Sequence, residues 1–581
     1  MPYALCQTET HLPSAVEKRS GLTGKMSNKE HHNTDIVNIA SYLNEAARTQ
    51  PYKRAVVYPA SRDKNGRVAY AHLTFLQLDR ESDYLAHGLE AAGITRGIRT
   101  VLMVKPSVDF FALIFAIFKT GAVPVVVDPG MGIRRMVACF NSTHPQGFIG
   151  IPLAHVVRTL FPGYFKTVRS WITVGRRWFW KGPTLTQIRH SHAGPYSIAR
   201  TGRQDPAAIL FTTGSTGPAK GAVYTHGNFD AQLKQIDTHL NMSPDEIDLS
   251  TFPLFALFYP ALGVTSVIPD MDPTRPALVN PQRIIEAIEN QGVTNMFASP
   301  ALLNRVGSYG KSNGVRLSSL KRVISAGAPV SADNIEQFSA LLDEDAEIHT
   351  PYGATEAVPI ISIKSREILN ETRQLSDKGY GTCIGRPINN TDIRIIQISD
   401  EPIETWSDDL LVPPGEVGEI AVRGELVSRE YFENHAANRL GKIKAGQEII
   451  HRMGDVGWMD KKGRIWFCGR KSHRVVTADG TLFTIPCESF FNRHPRVFRS
   501  ALVGVGAPGS QEPVMCIELR KTDDGRNRAN LEKELLEIAA ANDLTQNIKR
   551  ILFHRSFPVD IRHNSKIFRE KLAHWAEKKT K

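Results

Sequence analysis

The stretch Phe211–Gly221, FTTGSTGPAKG, overlaps the end of a β-rich run, AAILFTT from Ala207 to Thr213, so its glycines, hydroxyl residues and single lysine stand at a strand's carboxyl end. Open α/β sheets place their ligands there. The composition is that of a loop that wraps phosphate oxygens with backbone N–H groups, hydroxyls and an ammonium. It is not the mononucleotide P-loop, because Lys220 follows Ala219 and precedes Gly221, where that pattern needs G-K-[ST].

Working outward, the chain from Ile36 to about Leu410 alternates helical periodicity with short β-rich runs. The helix QRIIEAIENQG precedes the strand VTNMFASP, and the strand LKRVISAGAP precedes a helix from Ser331. Such alternation predicts an α/β fold, parallel sheets covered by helices. The apolar run FFALIFAIF, Phe110 to Phe118, is too short to span a bilayer and reads as a buried helix. Near Trp406 to Gly415 the chain turns polar and proline-rich, and then β-rich in GEIAVRG and GRIWFCG. A boundary near Arg470 to Ser472 leaves a small final unit of strand, strand, helix, strand, helix.

The 581 residues exceed what one hydrophobic core usually supports, so at least two domains are expected. Six cysteines lie far apart with no C-x-x-C pair, which argues against a disulfide framework and a zinc site and for a reducing, cytoplasmic setting. Residues 1–34 lack a secretory signal and are expected to be disordered, with Met26 a candidate alternative start. The net charge of +12 is concentrated: between Asp128 and Asp205 there is no acid, while eleven cations run from Arg134 to Arg203. That segment includes GRRWFWKG, Gly175 to Gly182, whose interleaved aromatics and cations suit a membrane surface or anionic partner, peripheral to an otherwise cytoplasmic chain. A solvated face over core aromatics is the competing reading. Nucleic acid is not expected, since no nucleic-acid module accompanies the charge.

Four further stretches accompany the opening loop in a fixed order: SAGAP (Ser325–Pro329), PYGATE (Pro351–Glu356), HRMGDVG (His451–Gly457) with FCGRK (Phe467–Lys471), and RHNSKI (Arg562–Ile567). The set resembles the adenylate-forming superfamily of acyl-CoA synthetases and adenylation domains, from Ile36 nearly to the end. The resemblance implies an AMP-binding domain over 35–471 with a small β-barrel-like part, and a mobile α+β lid over 472–581. It implies ATP and Mg²⁺. Thr212, Thr213, Gly214, Ser215, Thr216, Gly217 and Lys220 would hold the β- and γ-phosphates. Gly327, Ala328 and Pro329 would wall one adenine face, with Tyr352 and Gly353 on the other side. Thr355 would bond the α-phosphate, and Glu356 would give Mg²⁺ an oxygen ligand. Asp455 would accept the ribose hydroxyls, Arg470 would add a ribose contact, and Lys566 would bridge the substrate carboxylate and α-phosphate. Ser472 occupies the hinge, where the family commonly has Asp or Lys. Pro218 and Ala219 exchange places relative to the family's G-x-P-K, and Val476 stands where a lysine often follows the hinge; the changes around the hinge bear on the second half-reaction.

Several stretches are similar to a narrower family, the β-lactone synthetases of bacterial long-chain olefin biosynthesis: SVIPDMDPTRPA (Ser266–Ala277), TFPLFALFYPALG (Thr251–Gly263) and FPVDIRHNSKIFREKLAHWA (Phe557–Ala576). That resemblance implies a 2-alkyl-3-hydroxy fatty acid as substrate, whose own hydroxyl closes the lactone after adenylation, and upstream and downstream olefin-pathway enzymes as partners. The run Pro253 to Gly263 suits an alkyl-chain pocket or plain core. A fatty acyl-CoA synthetase shares every ATP-site residue and stays open as an alternative, as does a non-catalytic lipid- or membrane-binding scaffold.

Overall fold

A computed structural model describes residues 36–190, 194–211, 219–252, 258–521, 523, 527–559 and 566–580. The extension 1–34 and the loop residues Thr212 to Gly217 lie outside the described residues.

Two large sheets carry the alternation read from the sequence. One has six strands in the order 170–173, 147–150, 99–103, 123–126, 206–211, 221–225, all pairs parallel except the last. The other has fourteen. Its central strands, Glu347–Ala354, Arg322–Ser325, Asn295–Ala298, Ile247–Ser250, Thr265–Val267 and Arg54–Arg62, run parallel to their neighbours in that order. Beyond Glu347–Ala354 the same sheet continues antiparallel through Ala357–Lys364, Thr382–Pro387, Ile465–Arg470, Glu448–Met459, Gly418–Arg423 and Asp392–Ile396. The expected barrel-like part is therefore an antiparallel arm, with no barrel closure among the described strands. Local alternation is the same for an arm and a barrel, because closure is set by register between distant strands.

Helix boundaries follow local chemistry. The helix Pro281–Gln291 has Asn280 accepting from the Gln282 N–H and Pro at its first turn, and Ala332–Ser339 begins where the Ser331 hydroxyl accepts from Asn334. The apolar run at 110–118 lies in the helix Val108–Thr120, buried on all sides from Phe110 onward. Its Lys119, 1% exposed, is tolerated because Asp79 and Asp83 each meet its Nζ at 2.6 Å.

After Arg470 the strands leave the large sheet. A short 3-10 turn, Lys471–His473, leads to a hairpin, Val475–Thr477 with Gly480–Leu482, and a helix, Thr484–Asn492. A three-stranded sheet follows, Val497–Val505, Glu512–Leu519 and Arg550–Phe553, with helices Arg528–Ala540 and Arg569–Thr580. The last five elements match the expected order; the hairpin and first helix precede them.

Candidate active site

The strand Gly221–Thr225 follows the opening loop, and the segment 430–432 pairs with it: the Val223 N–H donates to the Glu430 carbonyl and the Phe432 N–H to the Gly221 carbonyl. Two residues earlier, the Ser428 N–H donates to the Glu356 carbonyl at 2.8 Å. This lacing sets Tyr431 between the two predicted phosphate-side residues. Its hydroxyl donates to Glu356 Oε1 at 2.6 Å, and the Lys220 ammonium stands 5.1 Å from its ring centre. A second ammonium, Lys442, lies 5.3 Å from the same ring and donates to the Ser428 carbonyl. Burial pushes Lys442 down to about 7, opposed by the Glu356 carboxylate. One carboxylate and two ammoniums at a strand end form a corner suited to phosphate oxygens. Sequence reasoning missed Tyr431 and Lys442, since a lysine in GKIKAG reads as a solvated cation and the contact spans 75 positions.

PYGATE has a definite shape. Thr355 and Glu356 are the two-residue turn of the hairpin that joins Glu347–Ala354 to Ala357–Lys364, with Ala354 opposite Ala357. The Tyr224 hydroxyl donates to the Thr355 carbonyl, fixing the turn from the first sheet. At Gly353 a Cβ would stand 2.6 Å from the Ala357 carbonyl oxygen and 2.9 Å from Val358 Cα, backbone atoms that cannot yield, so glycine is required.

The residues expected on the nucleoside side stand on the neighbouring strands. Gly327, Ala328 and Pro329 follow the carboxyl end of Arg322–Ser325, and Gly327 has φ +93°, which favours glycine. Tyr352, on the adjacent strand, donates its hydroxyl to Asp455 Oδ2. Asp455 and Arg470 are cross-strand partners, and Arg470 Nη1 lies 3.1 Å from Asp455 Oδ1. Burial raises the Asp455 carboxyl above its ordinary value, opposed by Arg470 and the Tyr352 hydroxyl. Beyond that ion pair its Oδ1 makes no hydrogen bond on the protein, so it keeps acceptor capacity for a hydroxyl. Arg452 of HRMGDVG is structural: it is buried against Glu419 at 2.6 Å, and Lys471 reaches the same carboxylate at 3.1 Å.

Thus the structure brings Lys220, Thr355 and Glu356 to one corner and Tyr352, Asp455 and Arg470 to another. Lys566 stands apart in the chain, beside the bridge Val559↔Ile567 in the C-terminal part. Ser472 lies in the turn between the arm and that part; its neighbour Lys471 holds Glu419, and His473 Nε2 lies 3.3 Å from Glu570 Oε1 on the last helix. The residues on either side of Ser472 are thus tied to different elements, Lys471 to the arm and His473 to the last helix.

Among the described residues no group of three His, Cys, Asp or Glu could hold a metal ion. Glu356 alone nevertheless fits Mg²⁺, which binds through one or two carboxylates plus phosphate oxygens and water. The five described cysteines are free and buried, their thiols raised by burial. No described helix is long and apolar enough to cross a membrane.

The cationic segment divides. Arg189 meets Glu81 at 2.8 Å and Asp109 at 2.6 Å, Arg203 meets Asp230 and Glu425, and Arg158 stacks over Trp171. Trp180 is buried against His155, whereas Trp178 and Phe179 are 55% and 72% exposed.

The description "AMP-binding enzyme" matches residues 43–432. An olefin beta-lactone synthetase of Xanthomonas campestris pv. campestris is 47% identical over 550 residues, 94% of this chain and 98% of that protein. One of Stenotrophomonas maltophilia is 47% identical over 93% of this chain and 98% of its own length. The amide bond synthetase McbA of Marinactinospora thermotolerans superposes with a TM-score of 0.73 at 20% identity, covering 93% of this chain and 99% of its own, and so shares the fold. The chain belongs to the AMP-binding enzyme family, whose members use ATP, and within it to the olefin beta-lactone synthetases.

Proposed function

We propose that this chain adenylates a 2-alkyl-3-hydroxy fatty acid with ATP and closes the acyl-adenylate to a β-lactone, releasing pyrophosphate and AMP. The 47% identity to olefin beta-lactone synthetases along nearly the whole chain is the observation that carries the reading. A substrate carboxylate oxygen attacks the α-phosphorus and pyrophosphate leaves. The 3-hydroxyl oxygen then bonds to the acyl carbon, the bond from that carbon to the phosphate oxygen breaks, AMP departs with the electron pair, and the hydroxyl proton is released. Tethering the nucleophile two carbons from the electrophile supplies proximity without a second substrate.

Lys220 and the loop from Thr212 hold the β- and γ-phosphates in this reading, Thr355 the α-phosphate, Asp455 and Arg470 the ribose, and Gly327 to Pro329 with Tyr352 the adenine. Glu356 would hold Mg²⁺, which when bound would supply neutralisation of phosphate charge. Residues 472–581 act as a lid pivoting at Ser472 that delivers Lys566. The test is product mass with ATP, Mg²⁺ and a 3-hydroxy fatty acid, with and without CoA. Lactone and AMP without CoA are expected; strict CoA dependence overturns the reading in favour of an acyl-CoA synthetase.

The partner reading is peripheral membrane contact for a greasy substrate. It is supported by exposed Leu153, Leu160, Trp178 and Phe179 among the cations of 134–203, with exposed Ile133 just before them. Vesicles of phosphatidylcholine with phosphatidylglycerol should bind the chain in a salt-sensitive way, and Trp178→Ala with Phe179→Ala should weaken binding by about 10-fold. Absent or salt-insensitive binding overturns it.

A further inference from the structure

A small cavity of about 50 Å³ lies on one face of the fourteen-stranded sheet, beside the nucleoside side of the site. Its walls include Ala326 and Pro351, each one residue from Gly327 and Tyr352. Strand alternation explains the floor: Pro351 pairs with Ser362, and His349 lies two residues from Pro351, so all three share a face while Tyr352 turns to the other. The roof is the last turn of helix His226–Leu240, which presents Ile236, His239 and Leu240 at i, i+3 and i+4.

The remaining lining is mainly apolar, Phe297, Ile324, Val358 and Pro359 among it. Against that background three polar atoms are buried with no hydrogen-bonded partner on the protein: His239 Nε2, His349 Nδ1 and Ser362 Oγ. His349 is only 7% exposed, and the two imidazoles meet edge to face with centroids 6.1 Å apart. Buried polar groups are nearly always satisfied, so three orphans on residues that line one cavity next to the candidate nucleotide site point to a polar group on the ligand. Burial lowers both imidazoles, His349 to about 3, with Lys364 and Arg322 adding to the effect, so both rings are neutral near pH 7. A neutral imidazole and a hydroxyl can each accept or donate, which matches an alcohol and not a second carboxylate.

We propose that His239, His349 and Ser362 form a polar subsite that takes the substrate's 3-hydroxyl and positions it toward the activated carboxyl carbon. This rests on the β-lactone reading for its ligand. The three are positioning residues, and the subsite selects acids that carry the hydroxyl before any nucleophile acts.

The experiment measures pyrophosphate release by the full-length protein with ATP and Mg²⁺, on a 2-alkyl-3-hydroxy acid and on the same acid lacking the hydroxyl. Wild type is expected to prefer the hydroxy acid by roughly 10⁴- to 10⁵-fold in kcat/KM, the scale of a site built to bond a hydroxyl. His349→Phe, His239→Phe and Ser362→Ala should each shrink that ratio, chiefly through the hydroxy acid, while leaving the deoxy acid within about 2-fold. His349→Gln, which keeps an acceptor, should recover part of it. Ser362→Ala removes one oxygen and carries the test should a histidine variant misfold. No wild-type preference, a ratio unmoved in Ser362→Ala, or equal losses on both acids overturns the subsite. A wild type that prefers the hydroxy acid but turns over only with CoA overturns the β-lactone reading instead and leaves the subsite standing.

Discussion

Lys566→Ala should lower pyrophosphate release by roughly 10²–10³-fold while ATP binding changes by no more than about 3-fold, because one positioned cation at developing phosphate charge is worth that much. The two readouts separate because the residues proposed to hold the nucleotide are on other elements. Asp455 and Arg470 face each other across two strands of the arm, and Glu356 is in a turn fixed by Tyr431 and by Ser428. Lys566 belongs to the C-terminal part, beside the bridge Val559↔Ile567, past the turn at Ser472. A loss confined to chemistry therefore fits a lysine delivered by a moving lid, and Lys566→Arg should not restore full rate, since a planar fork does not replace a compact ammonium. Pyrophosphate release unchanged in Lys566→Ala, measured with saturating ATP, removes the residue from the mechanism.

The parts of the fold that were legible are those whose cause is local. Ser331 caps a helix because its side-chain oxygen meets an orphan N–H three residues on, so sequence spacing alone reveals it. The strand Pro206–Phe211 ends where glycines and hydroxyls begin, which placed the ligand side of the sheet. By contrast, whether the β-rich stretch after Gly415 closes into a barrel or extends a sheet depends on pairings such as Ile361 with Pro387, which no local pattern encodes. The helix Thr484–Asn492 escaped notice because Phe483 supplies no side-chain cap and Pro486 sits within it. In the candidate site the motifs stand in the sequence one by one, but the nearness of Tyr431 and Lys442 to Glu356 and Lys220 does not, since it arises only through the pairing of 430–432 with Gly221–Thr225. His239 and His349 were equally silent: one ends a helix, the other sits in a strand, and only the tertiary fold sets them on one cavity.

Lys119→Met should destabilise the part of the chain around the six-stranded sheet by about 3–5 kcal/mol, the cost of removing one partner from a buried ionic cluster. The side chain is 1% exposed, and its Nζ donates to Asp79 Oδ1 and Asp83 Oδ1 at 2.6 Å and to the Asp79 carbonyl at 2.9 Å. Methionine keeps the length and loses the charge, so two carboxylates stay in an apolar surround without their cation. Burial already raises the Asp83 carboxyl above its ordinary value, with the Lys119 charge opposing it. Without that charge the rise is larger, and a folded-state value raised above the unfolded one gives stability that is present at acid pH and lost as pH climbs through it. The deficit of Lys119→Met should accordingly be smaller near pH 4.5 than near pH 7, and adding Asp79→Asn with Asp83→Asn should recover part of it at pH 7. Denaturation followed at both pH values checks each step; an equal deficit at the two pH values would mean that lost packing, not stranded charge, sets the loss. The same change should lower activity at working temperature without altering kcat of the folded fraction. The reason is that Phe118, the residue before Lys119, packs on Phe229 and His226 of the helix whose far end carries His239, which couples this buried cluster to the site through stability alone.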